Sequence, residues 1–173
     1  MKNFKAYSLV VALGFIIIFS SCSKNDNITE DVNSSGAILK SGNRPSANGQ
    51  GTFFFNDNER HFSFHVNTMP NGSVTGSGVL NYNGSGNVQI KFDINCLTVI
   101  GSTATMSGTV TSSNLVSWTV GAPCVFRVVD NGEGSSNPDE ITLLYQTSVW
   151  DCTTLPEEIL LFQIEGGNIQ VKP

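Results

Sequence analysis

The chain has 173 residues, with 14 acidic and 9 basic side chains and a formal net charge of -5. Only 13% of it is charged, about half the share in an average soluble domain, and 17 residues are glycine. That balance excludes a nucleic-acid binder working through phosphate neutralisation. The length excludes two ordinary domains once the ends are set aside, and the Phe, Val and Ile content excludes a disordered chain.

Lys2 and Lys5 precede an apolar run from Ala6 to Phe19, closed by Ser20, Ser21 and Cys22. This is the order of a secretory signal, and the run falls short of the roughly 20 apolar residues of a membrane span. Small residues just ahead of a cysteine resemble the bacterial lipobox, with Phe19 a poor fit at its first position. The resemblance implies cleavage before Cys22 and acylation of that residue, hence a stable hold on the bilayer. The alternative is a plain signal peptide with Cys22 an ordinary thiol. Two of the basic residues and none of the acids leave with residues 1–21, so the mature chain carries a net charge of -7. The stretch Ser21-Cys22-Ser23-Lys24-Asn25-Asp26 also looks like lipoproteins of the Gram-negative Bacteroidota, which implies an outer-membrane location, on the periplasmic face or the cell surface.

Residues 22–50 have no apolar period apart from the island Ala37-Ile38-Leu39, and read as the lipidated cysteine and a flexible tether. About 28 such residues span ~30 Å. The β domain is placed at residues 51–173.

From Thr52 onward the hydrophobic period is two. His61 to Asn67 points Phe62, Phe64 and Val66 one way, and Val88 to Cys96 alternates throughout. Further strands are expected at Thr52–Phe55, Val74–Tyr82, Leu97–Ile100, Thr103–Thr111, Val125–Val129, Ile141–Gln146 and Ile169–Lys172. Asn71-Gly72, Asn83-Gly84, Gly101-Ser102 and Asp130-Asn131-Gly132 supply turns between them. The one helical hint is Thr154 to Leu160, with Thr154 as cap and Glu157 reaching back. The expected fold is all-β: a single antiparallel meander of about eight strands. A small closed barrel is favoured over a two-sheet sandwich because few edge lysines guard an open edge. The eight phenylalanines of the mature chain are enough to fill such a barrel.

The run Asn95-Cys96-Leu97-Thr98-Val99-Ile100-Gly101, then Val128-Val129-Asp130-Asn131-Gly132-Glu133-Gly134, then Gly166-Gly167-Asn168-Ile169-Gln170-Val171, resembles an uncharacterised family of secreted bacterial β domains. The resemblance spans most of Gly49 to Val171. It implies an extracellular β domain and no catalytic residue.

After Cys22, three cysteines remain. An oxidising compartment favours one disulfide. Cys96 and Cys124 share the phase of inward residues, while Cys152 lies in a loop free to move, so Cys96–Cys152 is the favoured pair. The alternative is three reduced, buried thiols. His61 and His65 lie four apart on a strand, about 13 Å from each other, too far to share a metal ion. Asp130, Glu133, Asp139 and Glu140 give an eleven-residue loop its carboxylates and make it a calcium candidate, against a solvated hairpin loop. There is no nucleophile elbow, and the adjacent Glu157 and Glu158 diverge. Trp118, Trp150, Tyr82 and Tyr145 are either core or the lining of a pocket. The expectation is a non-enzymatic, membrane-tethered lipoprotein without a cofactor. Its partners are the bilayer, through Cys22, and an unidentified protein, glycan or small molecule; nucleic acid is not among them. A barrel holding a small apolar ligand comes second, and a carboxylate-dependent hydrolase third.

Overall fold

A computed structural model describes residues 44–84, 86–133 and 136–173. Cys22, the leader and the Ala37-Ile38-Leu39 island lie outside the described residues. The described chain is all-β. Ten antiparallel strands form one sheet curled into an open half-barrel: β1 Ser46–Phe55, β2 Asn58–Thr68, β3 Val74–Gly84, β4 Gly86–Ile100, β5 Thr103–Ser113, β6 Pro123–Val129, β7 Glu140–Thr142, β8 Tyr145–Gln146, β9 Leu161–Gln163 and β10 Gly166–Lys172. The order is β10-β1-β2-β3-β4-β5-β6-β7-β9, with β8 paired to the other half of β6.

The count of ten corrects the expected eight. β7 and β8 are one expected strand broken at Leu143-Leu144, and β9 is a strand too short to show a period. β1 starts at Ser46, so the domain begins earlier than residue 51; Ala47 and Gly49 pair with Val66 and Phe64 of β2 and already face the core. Leu97–Ile100 is the continuation of β4 and not a separate strand.

β9 and β10 are separated by Ile164 and Glu165 alone, and these two residues reach both margins of the sheet. The Ile164 N–H donates to the Asp139 carbonyl at 2.9 Å, and the Glu165 N–H donates to the Thr52 carbonyl at 2.8 Å. β9 pairs with β7, while β10 pairs with β1 over seven residues.

Inner-face residues follow from the alternation. Phe62, Phe64 and Val66 of β2 face Leu80, Gly78 and Gly76 of β3, and these face Ile90, Phe92 and Ile94 of β4. A chain of rings fills the interior: Phe55–Phe162, Phe162–Phe53, Phe53–Phe62, Phe62–Phe64, Phe64–Phe126 and Phe126–Phe92, with centroids 5.3–6.2 Å apart. Each contact of this kind adds about 0.5–1.5 kcal/mol beyond the area it buries. Glycines make the room. A Cβ at Gly49 would lie 2.8 Å from Phe64 Cε1, and one at Gly78 would run into the Phe92 ring.

Two local features depart from the sequence reading. The β1–β2 hairpin turns on Asn56-Asp57, both with positive φ (51° and 59°), the geometry of a tight two-residue turn. Residues 151–155 make a single turn and no helix. Its cap is Asp151 rather than Thr154: the carboxylate Oδ1 accepts from the Thr153 and Thr154 amides at 2.7 and 3.0 Å, and from both hydroxyls. These bonds, the Thr153 hydroxyl first, hold the Asp151 carboxyl below the usual range.

Candidate functional site

The two halves of the outer sheet face differ, and a strap causes the difference. Along β4 the register slips between Ile94 and Cys96, leaving Asn95 as an extra residue. A bulge of this kind reverses the phase of the residues after it. Cys96 therefore stands beside Ser107 on the outer face, which corrects the expectation that it shares the inward face of Ile94. Cys152 meets it there. The Cys96–Cys152 disulfide is present, with Cα atoms 5.8 Å apart, and closes a separation of 56 residues. The Cys152 N–H donates to Ser107 Oγ at 3.1 Å.

Arg127 on β6 fixes the rest of the strap. Its Nε donates to Thr105 Oγ1 at 2.9 Å, Nη2 to the Leu155 carbonyl at 2.9 Å, and Nη1 to the carbonyls of Pro156 and Glu157 at 2.9 and 3.3 Å. Residues 147–160 thus cross the outer side of β4, β5 and β6. Cys152 and Leu155 of the strap and Val125 of β6 are buried, apart from the main core. Two-sided burial explains why β5 and β6 lack a clean alternation.

Among the described residues no strap crosses the other half, from β10 to β4. The register aligns Gln170, Asn48, His65, Ser77 and Asp93 in one row across the strands, and Asn168, Gln50, Ser63, Val79 and Lys91 in the next. Two shallow grooves of about 460 and 350 Å³ meet at Ser63, Phe64 and His65. Amides, hydroxyls and two imidazoles dominate the face, which suits hydrogen bonding with a neutral polar surface. His61 and His65 are both exposed here, and His61 Nε2 lies 3.6 Å from Glu59.

The acidic loop has a local task. Asp139 is 5% exposed; its Oδ1 accepts from the Asn131 N–H at 2.9 Å and its Oδ2 from the Ile169 N–H at 2.7 Å. Asp130 Oδ2 accepts from the Val171 N–H at 2.9 Å, and its Oδ1 from the Gly132 N–H at 3.0 Å. Ile169 and Val171 belong to β10, whose side away from β1 has no strand partner among the described residues. The two carboxylates stand where a neighbouring strand's carbonyls would. Glu133 is exposed and Glu140 starts β7 against Val129 and Gln163. Among the described residues no group of three or more His, Cys, Asp or Glu is arranged to hold a metal ion.

Inside the half-barrel the largest rings leave a void of about 20 Å³, bounded by Phe53, Phe62, Phe64, Phe92 and Phe126 among others. That is room for one water-sized sphere. Cys124 is buried, and its thiol is pushed up to about 12 by desolvation, against a weaker opposing bond with Gly108. The four aromatic candidates do not converge. Tyr145 and Trp150 meet edge to face at 5.9 Å, Trp118 packs on the core from the 114–122 loop, and Tyr82 lies beneath Arg60. Sequence reasoning passed over both Arg60 and Arg127. The signal that would have found them is an arginine inside a strand with no acid opposite it.

Compared with family models, curated proteins and solved structures, the chain matches none.

Proposed function

We propose that this chain is a bacterial lipoprotein, held at the outer membrane by an acylated Cys22, whose β domain is not an enzyme and acts through its surface in the envelope. The observation that carries the reading is the contrast between the two faces. The inner face is packed with rings down to about 20 Å³, whereas the outer face from β10 to β4 presents a lattice of amide and hydroxyl side chains that no other described residues cover. A neutral polar glycan or protein surface suits that lattice, and the low charge favours neither nucleic acid nor anionic lipid. The leader and the cysteine that ends it, the disulfide, and the resemblance to secreted bacterial β domains support the setting. Closure of the half-barrel into a full barrel belongs to the same proposal, supported by the bonds that Ile164 and Glu165 make to opposite margins.

An apolar-ligand carrier finds little support in a 20 Å³ void, since such sites run to about 300 Å³ or more. A hydrolase working through Asp130 and Asp139 would need carboxylates that are already bonded to main-chain amides.

The test separates anchor from surface. The chain isolated from a Gram-negative host is expected to begin at an acylated Cys22. The Cys22→Ser chain, freed of its anchor, is expected to sediment with isolated envelopes through the bare face, and Ser77→Arg to release it. An unmodified Cys22 overturns the lipoprotein reading. Equal sedimentation of the two chains, or none, overturns the surface reading.

A further inference from the structure

Among the described residues Arg60 is a cation without a counter-charge. It stands on β2 between Phe53 of β1 and Tyr82 of β3, in phase with Phe62 and Phe64, at the rim of the inner face next to the Asn56-Asp57 turn. The guanidinium carbon lies 4.5 Å from the Tyr82 ring centroid and 5.0 Å from that of Phe55. Its Nε is buried and has no hydrogen-bond partner. Among the described residues the one ion pair is His61–Glu59, so no described carboxylate neutralises Arg60. Burial lowers its pKa, with Tyr82 opposing. Arginine–aromatic stacking is a common structural device. It does not account for a desolvated donor left without an acceptor, which ordinarily costs about 1–3 kcal/mol.

We propose that Arg60, Phe55 and Tyr82 form a binding site for a carboxylate carried on an aromatic or aliphatic body. Rings flank the guanidinium, so its fork of edge donors is what remains to offer, and a planar carboxylate matches that fork. A monoanion suits a lone cation in a chain of net charge -5 better than a dianion does. The apolar body has a wall ready: Phe162 meets Phe55 edge to face at 5.6 Å. Phe55 and Tyr82 pack on the edge of the core, and none of Phe55, Arg60 and Tyr82 borders the interior void, so the site lies at the rim of the inner face and apart from that void.

The test is a titration of the isotopically labelled full chain with benzoate, with benzamide as its neutral match and phenylphosphonate as the dianion, read at the Arg60 Nε–Hε resonance and the Tyr82 ring. Benzoate is expected to shift both saturably at a Kd of about 1–10 mM. Benzamide is expected to move neither, and phenylphosphonate to bind more weakly. Arg60→Met is expected to abolish the shift at Tyr82. Arg60→Lys keeps the charge and loses the fork, and is expected to weaken benzoate binding about tenfold; it serves if Arg60→Met does not fold. The proposal is overturned if benzamide shifts Arg60 as benzoate does, if benzoate leaves it unmoved, if phenylphosphonate binds more tightly, or if Arg60→Lys binds benzoate unchanged.

Discussion

The carboxylate of Asp139 and the main-chain amide of Ile169, thirty residues apart, are joined by a 2.7 Å hydrogen bond in a buried setting. Asp130 repeats the arrangement two residues on, at Val171. A sheet edge presents unpaired amides that invite another chain. Here two side chains from the β6–β7 loop end the sheet in place of a strand, and the same loop forms one wall of a polar cleft of about 480 Å³ beside β10.

Asp139→Asn is therefore expected to destabilise the domain by about 2–3 kcal/mol, because an amide keeps one acceptor and sets a donor against a donor. Asp130, less buried, is expected to cost less when changed in the same way. Urea unfolding of the two variants checks the order. Equal stability of Asp139→Asn and the parent would remove the edge-capping role.

Reduction of Cys96–Cys152 is expected to cost about 4 kcal/mol from loop closure alone. The loss should be local as well as global. Amides of residues 147–160 are expected to exchange faster after reduction, and Arg127→Lys to speed the same amides with the disulfide intact. Unchanged exchange over 147–160 in both cases would contradict the strap.

Cys124 is expected to resist alkylation in the native state at pH 8 and to react once the chain is unfolded, since its pKa of about 12 leaves almost no thiolate. The raised folded value also sets a pH dependence. Below about pH 9 the thiol is protonated in both states and folding is unaffected. Above it the unfolded chain loses the proton first, so stability falls by up to about 1.4 kcal/mol per unit toward pH 12. Cys124→Ala is expected to flatten that part of the profile. The Tyr145 contribution, raised by burial and of the same sign, remains.

Gly78→Ala is expected to destabilise by about 1–3 kcal/mol, because the added methyl meets the Phe92 ring in a filled interior. Its neighbour Ser77→Ala, on the outer face, should fall within about 0.5 kcal/mol of the parent. Thermal unfolding of the pair distinguishes a packed inner face from a tolerant one.

Much of the fold was legible where one physical rule acts alone. Phe62, Phe64 and Val66, and Val88 through Ile94, alternate because one side is core and the other water, and the structure places them so. Asn71-Gly72 and Gly101 turn where expected, with Gly72 and Gly101 at positive φ. Asn56-Asp57 makes the same kind of turn without glycine, since short polar side chains tolerate the left-handed region, and that weaker signal was missed. What could not be read is what depends on distant segments. The alternation through Cys96 has no break in the sequence, yet a bulge turns Cys96 outward to meet Cys152. Asp130 and Asp139 read as oxygen donors for an ion, and nothing local shows that their carboxylates also accept from the Val171 and Ile169 amides of β10. Arg60, an arginine inside a strand, gave only a weak signal, because its stacking partners come from the strands on either side.

The central claim is that this domain works from its surface, with an interior too full to carry cargo. Native mass spectrometry of the mature chain, isolated from an oxidising compartment of a Gram-negative host, tests it most directly. The predicted result is the acylated polypeptide mass less two hydrogens for Cys96–Cys152, with nothing further lost on denaturation. A stoichiometric small molecule that leaves only when the chain unfolds, and that is still bound in Arg60→Met, would contradict the claim and put the ligand inside the sheet.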